Sequence, residues 1–194
     1  MHADRPRPQI VDEIEQAKAL DGAAEAIQRV ARSVLGDTSV RRVLSGVPIG
    51  HPLHPALVAV PIGSWLSASM LDLTAGNRAA ARRLIGFGCL AALPTAAAGA
   101  ADWLETTGPD RRVGLVHAGL NDLALTIYLA SWRSRRHGHN VTGALLALAG
   151  SGVLAAGGWL GGHLAYSRGV GVEVQQPSAV DAQHPPAEAT ASAE

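Results

Sequence analysis

The sequence predicts an all-α membrane protein: a four-transmembrane-helix bundle preceded by an amphipathic helix. Three observations predict it. The 16 basic and 16 acidic side chains concentrate in the first 42 residues, in three short connectors and in the tail. Four blocks between them are apolar and long enough, at helical rise, to cross a hydrocarbon core of roughly 30 Å. The connectors are short enough to make consecutive spans antiparallel neighbours. The domain plan is an N-terminal amphipathic segment (1–42), a four-span membrane domain (43–168) and a disordered tail (169–194).

Residues 1–8 are rich in Pro and Arg and read as loose chain. From Ile10, apolar positions recur through Ile14, Ala17, Ala24, Ile27, Ala31 and Val34 at three, four and seven, which is a helical stripe. Gly22 is the expected break and Gly36 the expected stop. A helix of this kind ahead of a span lies along the headgroups, docks on a partner, or is an ordinary solvated helix.

Span one has no Asp, Glu, Lys or Arg between Val43 and Leu71. Pro48, Pro52 and Pro55 stand in its first turns, where a missing N–H matters least, and Pro61 is deep enough to kink it. Span two, Leu84 to Leu104, carries Gly88, Ala91, Thr95, Ala98 and Asp102 on one stripe, small enough for close helix approach. Trp103 stands at its exit, where the interface favours an amphipathic ring. Span three, Val113 to Trp132, holds His117, Asn121 and Asp122, which predicts that this side looks into the bundle. Span four, Val141 to Tyr166, carries Gly157 and Gly161 beside Gly158 and Gly162, two small-residue pairs that predict packing between copies of the chain.

Several functions are excluded or unsupported. Zero formal net charge and no basic face interleaved with aromatics give no case for nucleic acid. Cys89, inside an apolar run, rules out an intrachain disulfide or multi-cysteine metal site and reads as a small buried hydrophobe. Trp65 and Trp159 read as packing residues. GLVHAGLND lacks the lysine of a phosphate loop, no G-x-S-x-G elbow appears, and His51-Pro-Leu-His54 lacks the glutamate of a zincin. The charged N-terminus shows no secretory leader, so span one is expected to act as an uncleaved anchor.

Antiparallel threading brings the starts of spans one and three and the ends of two and four to one membrane face. His51, His54, Asp102, His117 and His163 are therefore expected at one level, with Asn121 and Asp122 placed to orient an imidazole. Asp72 belongs to the opposite layer. Imidazoles and a carboxylate in a partly desolvated bundle suit axial ligation of haem iron by two histidines, or a single zinc, copper or iron ion. They also suit a cofactor-free proton relay or solute path, and a purely structural role as helix caps and loop ties. His2, His137, His139 and His184 read as solvated.

The segments VPIGHPLHPALVAVPIGSW, LDLTAG, AALPTAAAGAADWL, VHAGLND and GGWLGGHLAYSRGVGV resemble an uncharacterised bacterial membrane family, domain of unknown function 2231. The likeness covers residues 40–172 or so, and HPLHP together with GGHL carries it. It implies four spans, a cytoplasmic (inner) membrane location and a polar signature of His54, His117 and His163. Some relatives look like fusions with a C-terminal Rieske-type iron-sulfur domain, which implies an electron-transfer setting. This chain has one cysteine and cannot form that domain itself, so a separate iron-sulfur or other redox protein would be the electron partner.

These readings lead to a redox or metal-binding membrane subunit without catalytic residues, its sharpest form being haem b held by two of His54, His117 and His163. The alternative is a non-redox scaffold or small transporter with a structural polar cluster. Arginines near span ends divide almost evenly between the two faces. Lack of an export signal for the N-terminal segment sets the termini in the cytoplasm.

Overall fold

A computed structural model describes residues 8–36, 38–74 and 76–172. The expected loose start before Pro8 and most of the expected disordered tail lie outside the described residues. Within them the chain forms seven α-helices and no strand. These are α1 (Gln9–Gln16), α2 (Asp21–Leu35), α3 (Thr38–Leu44), α4 (Leu53–Leu73), α5 (Arg78–Trp103), α6 (Gly108–Arg136) and α7 (Asn140–Arg168). The last four are each long and apolar enough to cross a membrane.

Span one begins later than its uncharged run, and the prolines explain why. Pro48 falls in a 3₁₀ turn over Val47–Ile49, and Pro52 is the extended residue capping α4. Gly46 makes that approach possible. Its φ of +82° is left-handed, and a Cβ there would lie 1.9 Å from the carbonyl oxygen of His51, a clash no side chain survives. At the next connector, Asn77 caps α5 by accepting from the N–H groups of Ala79 and Ala80, both at 3.0 Å.

Two helical hairpins, α4–α5 and α6–α7, make the bundle, joined through α5–α6 and α4–α7. At its centre Trp65 stacks on Tyr128, ring centroids 4.1 Å apart and planes 9° from parallel. Ala68, Ala81, Ile85, Cys89 and Ala147 close around the pair. Such bulky rings fit because glycines oppose them: a Cβ on Gly88 would lie 2.4 Å from Trp65 Nε1. Trp159, by contrast, is 47% exposed on the outside and is not part of this packing.

The N-terminal segment breaks at Ala17–Leu20 rather than at Gly22, which sits in the first turn of α2. It docks on the bundle. Val11 of α1 is fully buried against Val113, Leu160 and Leu164. In α2 the inward groups are largely polar. Gln28 donates to the carbonyls of Trp103 and Thr106 at 3.1 and 3.2 Å, and Arg32 donates to Leu104 O at 2.6 Å. Those carbonyls belong to the end of α5 and its connector, where the helix leaves them without intrahelical partners. Ile10, Ile27 and Val34 of the predicted apolar stripe face outward instead. Ala24 of that stripe is fully buried and Ile14 packs beside Val11, so apolar periodicity located the helix and only part of its docking face.

Candidate functional site

The four span ends expected to converge do so beneath the α1–α2 cap. His54, on the second residue of α4, packs against α5. Its Nδ1–H donates to Thr95 O at 2.9 Å, and a Cβ on Gly99 would lie 2.8 Å from both Cε1 and Nδ1 of the ring. His117 repeats the arrangement between α6 and α7. Its Nδ1–H donates to Gly157 O at 2.7 Å, and a Cβ on Gly161 would come within 2.7 Å of its Cε1. A carbonyl oxygen can only accept, so both rings carry the proton on Nδ1, which makes Nε2 the lone-pair nitrogen.

Asn121, one turn along α6, donates to His117 O at 2.8 Å. Its amide nitrogen also lies 3.3 and 3.2 Å from the two ring nitrogens of His117. Near-equal distances put the amide beside the ring rather than in line with either nitrogen. Of the two residues expected to orient an imidazole, Asn121 lies against the His117 ring. Asp122 does not: it points out of the bundle and is exposed. Adjacent positions on a helix lie 100° apart, so a face holding His117 and Asn121 cannot also hold Asp122.

Asp102, near the end of α5, is buried, and its Oδ2 makes no hydrogen bond. Ser45 is close enough to donate a hydrogen bond to the carboxyl group, His54 is close enough to act on it electrostatically, and His54 stands in that second relation to His117. The chain after α7 turns back over this carboxylate. Gly169 caps the helix at φ +71°, and Gly171, at φ +68°, approaches so closely that a Cβ there would be 3.1 Å from Asp102 Oδ2. Both glycines adopt left-handed backbone that ends α7 and aims the chain.

His163 stands apart from this group. Its Nε2 faces Glu15 Oε1 of α1 at 3.4 Å, both side chains 13% exposed. The distance is that of an ion contact, but the angles do not make a hydrogen bond, and both atoms are otherwise unpartnered. Proximity here is real and the pairing weak. His51 sits exposed in the turn before α4. Of the five expected ligands, His54 lies near Asp102 and near His117, His163 faces Glu15 of the cap, and His51 lies outside. Among the described residues no group of three or more His, Cys, Asp or Glu is close enough to hold a metal ion.

Sequence reasoning missed the cap's contribution. Arg112 binds Asp21 in a fork, Nε to Oδ1 and Nη2 to Oδ2, both at 2.8 Å, and also reaches Glu15 O. Arg111 meets Glu25 at 3.0 Å and Asp21 at 3.3 Å. The hydrogen bonds from Arg112 are the main reason Asp21's carboxyl is held down at about 2, with Arg111 adding to the effect. Spacing gave no hint of these contacts, since they join residues about ninety positions apart.

The predicted spans and the HPLHP and GGHL segments fall within residues 50–174, and that stretch matches the family described as Predicted membrane protein (DUF2231). The chain belongs to that family. No curated protein and no solved structure matches it. Membership in DUF2231 agrees with the four apolar helices and places the chain in a membrane. The DUF2231 match begins at Gly50, so α1 and α2, including Glu15 and Asp21, come from outside the matched region.

Two of the four glycines expected to join copies of this DUF2231 chain serve a different purpose. Gly157 is buried against Leu120 and Asn121, and Gly161 packs against His117. Gly158 has open space at its Cβ position.

Proposed function

We propose that this chain is a membrane subunit that holds a redox or metal group through the imidazoles of α4 and α6, with haem b as the sharpest form. The observation that carries the reading is the shared tautomer. His54 and His117, on different spans, each give Nδ1–H to a span carbonyl, which leaves Nε2 as the lone-pair nitrogen, met in His117 by the Asn121 amide at 3.2 Å. Metal-bound histidines are held in this way, their second nitrogen bonded to a carbonyl or carboxylate that fixes ring and tautomer. A haem needs only two such nitrogens from the protein, whereas a zinc or copper ion needs three or four ligands. The absence of a three-residue group among the described residues thus favours the macrocycle over a lone zinc, copper or iron ion.

On this reading His54 and His117 would hold the group and His163 would not. Asn121 orients His117, and the buried Asp102 lowers the cost of positive charge nearby. Bound haem would supply one-electron chemistry inside the bilayer, exchanged with a separate iron-sulfur or other redox protein. The membrane would be the bacterial inner membrane, with termini in the cytoplasm.

A second reading is favoured by what the same hydrogen bonds do mechanically. His54 ties α4 to α5 and His117 ties α6 to α7, as a cofactor-free scaffold or small transporter would also require. Visible spectra of the detergent-purified chain, expressed with haem supplied, separate the two. The redox reading expects a reducible Soret band at about one haem per chain, abolished in His54→Ala and His117→Ala and kept in His163→Ala. A colourless, metal-free preparation overturns it in favour of the scaffold.

A further inference from the structure

We propose that the outer face of α6 is an interface inside the bilayer, covered by a second copy of this chain. The face is marked by Asp122, at the centre of a 29-residue span and exposed. At helical rise it lies about 20 Å from either end of α6, too deep for so short a side chain to reach the headgroups. Its backbone carbonyl accepts from Thr126. Its carboxyl has neither a hydrogen bond nor an ion pair among the described residues.

The other spans do not behave this way. Between their ends, the outward positions of α4, α5 and α7 are apolar, small or hydroxyl-bearing, as in Leu66, Leu90 and Leu148. Lipid tolerates those faces and does not tolerate an unpaired carboxyl at mid-depth. The α6 face therefore has a protein against it.

That partner must bring a hydrogen-bonding group to the same depth and let two backbones approach. A second copy satisfies both with residues already present. Two-fold pairing of α6 with itself sets each Asp122 opposite its equivalent, where two carboxyls share one proton, and within a turn of the other copy's Thr126. Gly119, on the same stripe, has nothing within 4 Å of its Cβ position, which permits close approach. The glycine pairs of α7 are the weaker candidate because Gly157 and Gly161 are already filled by Asn121 and His117.

The test is cysteine cross-linking of the full chain in liposomes, in a Cys89→Ala background. Gly119→Cys and Leu123→Cys report on the α6 face, and Leu148→Cys on α7 is the control. Oxidation is expected to yield covalent dimers from the α6 cysteines at about five times the control level or more, with Asp122→Leu lowering that yield about fivefold, the scale of one interhelical hydrogen bond in a bilayer. Asp122→Asn retains hydrogen bonding and is expected to keep most of it. Equal or absent cross-linking at the two faces, an α6 yield indifferent to Asp122→Leu, or cross-links only to a different protein overturns the proposal.

Discussion

At one end of the bundle Asp72, from the last turn of α4, meets Arg135 of α6 through two hydrogen bonds of 2.8 and 2.5 Å. Arg135, whose side chain is fully buried, also reaches Ser131 at 3.3 Å, and Ser131 in turn donates to Gly143 O. At the other end Asp102, His163 and Glu15 each bury an atom that makes no hydrogen bond. Every buried unpartnered side-chain atom among the described residues lies at this second end, counting Arg111 Nε as well. Both ends bring charge into an apolar bundle, but only one completes its pairing. Buried polar groups left incomplete are costly and are kept where a ligand or a proton completes them. On the function proposed above, the complete end is structural and the incomplete end is where a ligand or a proton would act.

The largest effect that would break this comparison lies at Asp72. Asp72→Ala leaves the Arg135 guanidinium buried without its carboxylate and is expected to cost about 3–5 kcal/mol of stability. Unfolding of the detergent-solubilised protein by heat or by SDS measures it. Replacing both partners together, Asp72→Leu with Arg135→Leu, should recover most of the loss, because the penalty is for an orphaned charge and not for the missing pair. A small loss in the single variant would mean that this end is no better completed than the other.

Asp102 sharpens the contrast from the opposite side. Its Oδ2 is buried with no donor, so Asp102→Asn removes a desolvated charge while nearly keeping the volume. Stability is expected to stay within about 1 kcal/mol of the parent or to rise. The same unfolding assay checks it. A loss approaching that of Asp72→Ala would show that the carboxylate holds the fold together, and the functional reading of this end would fail.

The difference between the ends also separates what could be read in the sequence from what could not. Span number, antiparallel order and the nearness of His54 to Asp102 and to His117 follow from hydropathy blocks and short connectors, because in a bilayer those alone dictate threading. The separate layer of Asp72 follows in the same way. Its partner Arg135 does not, since it lies in what reads as a basic connector until α6 is seen to continue through it to Arg136. Asp122 was assigned to the interior with His117 and Asn121 on cost alone, and helical phase rules that out. The docking of α1 and α2 was illegible for a third reason. Its specificity lies in Gln28, Arg32, Arg111 and Arg112 reaching carbonyls and carboxylates far along the chain, and no periodicity records such pairs.

The smallest effect concerns how that cap stays closed over the incomplete end. Asp21 is held at about 2, against an ordinary 3.8, by its hydrogen bonds from Arg112 and Arg111. A carboxyl with a lowered folded value stabilises the state in which it is ionised, so its contribution is complete above 3.8. It is lost as the pH falls toward about 2. Acidification through that window is expected to loosen α1 and α2, read as faster amide hydrogen exchange over residues 9–35 after correction for intrinsic rates. Asp21→Asn should show partly loosened exchange at neutral pH and little further change on acidification, because the titrating group is gone. Because Asp21 faces solvent, salt is expected to shrink the wild-type effect. If instead the wild type and Asp21→Asn respond alike to acid, the cap is held by Val11 and the Gln28 and Arg32 contacts, and the ionic fork is incidental to closing the site.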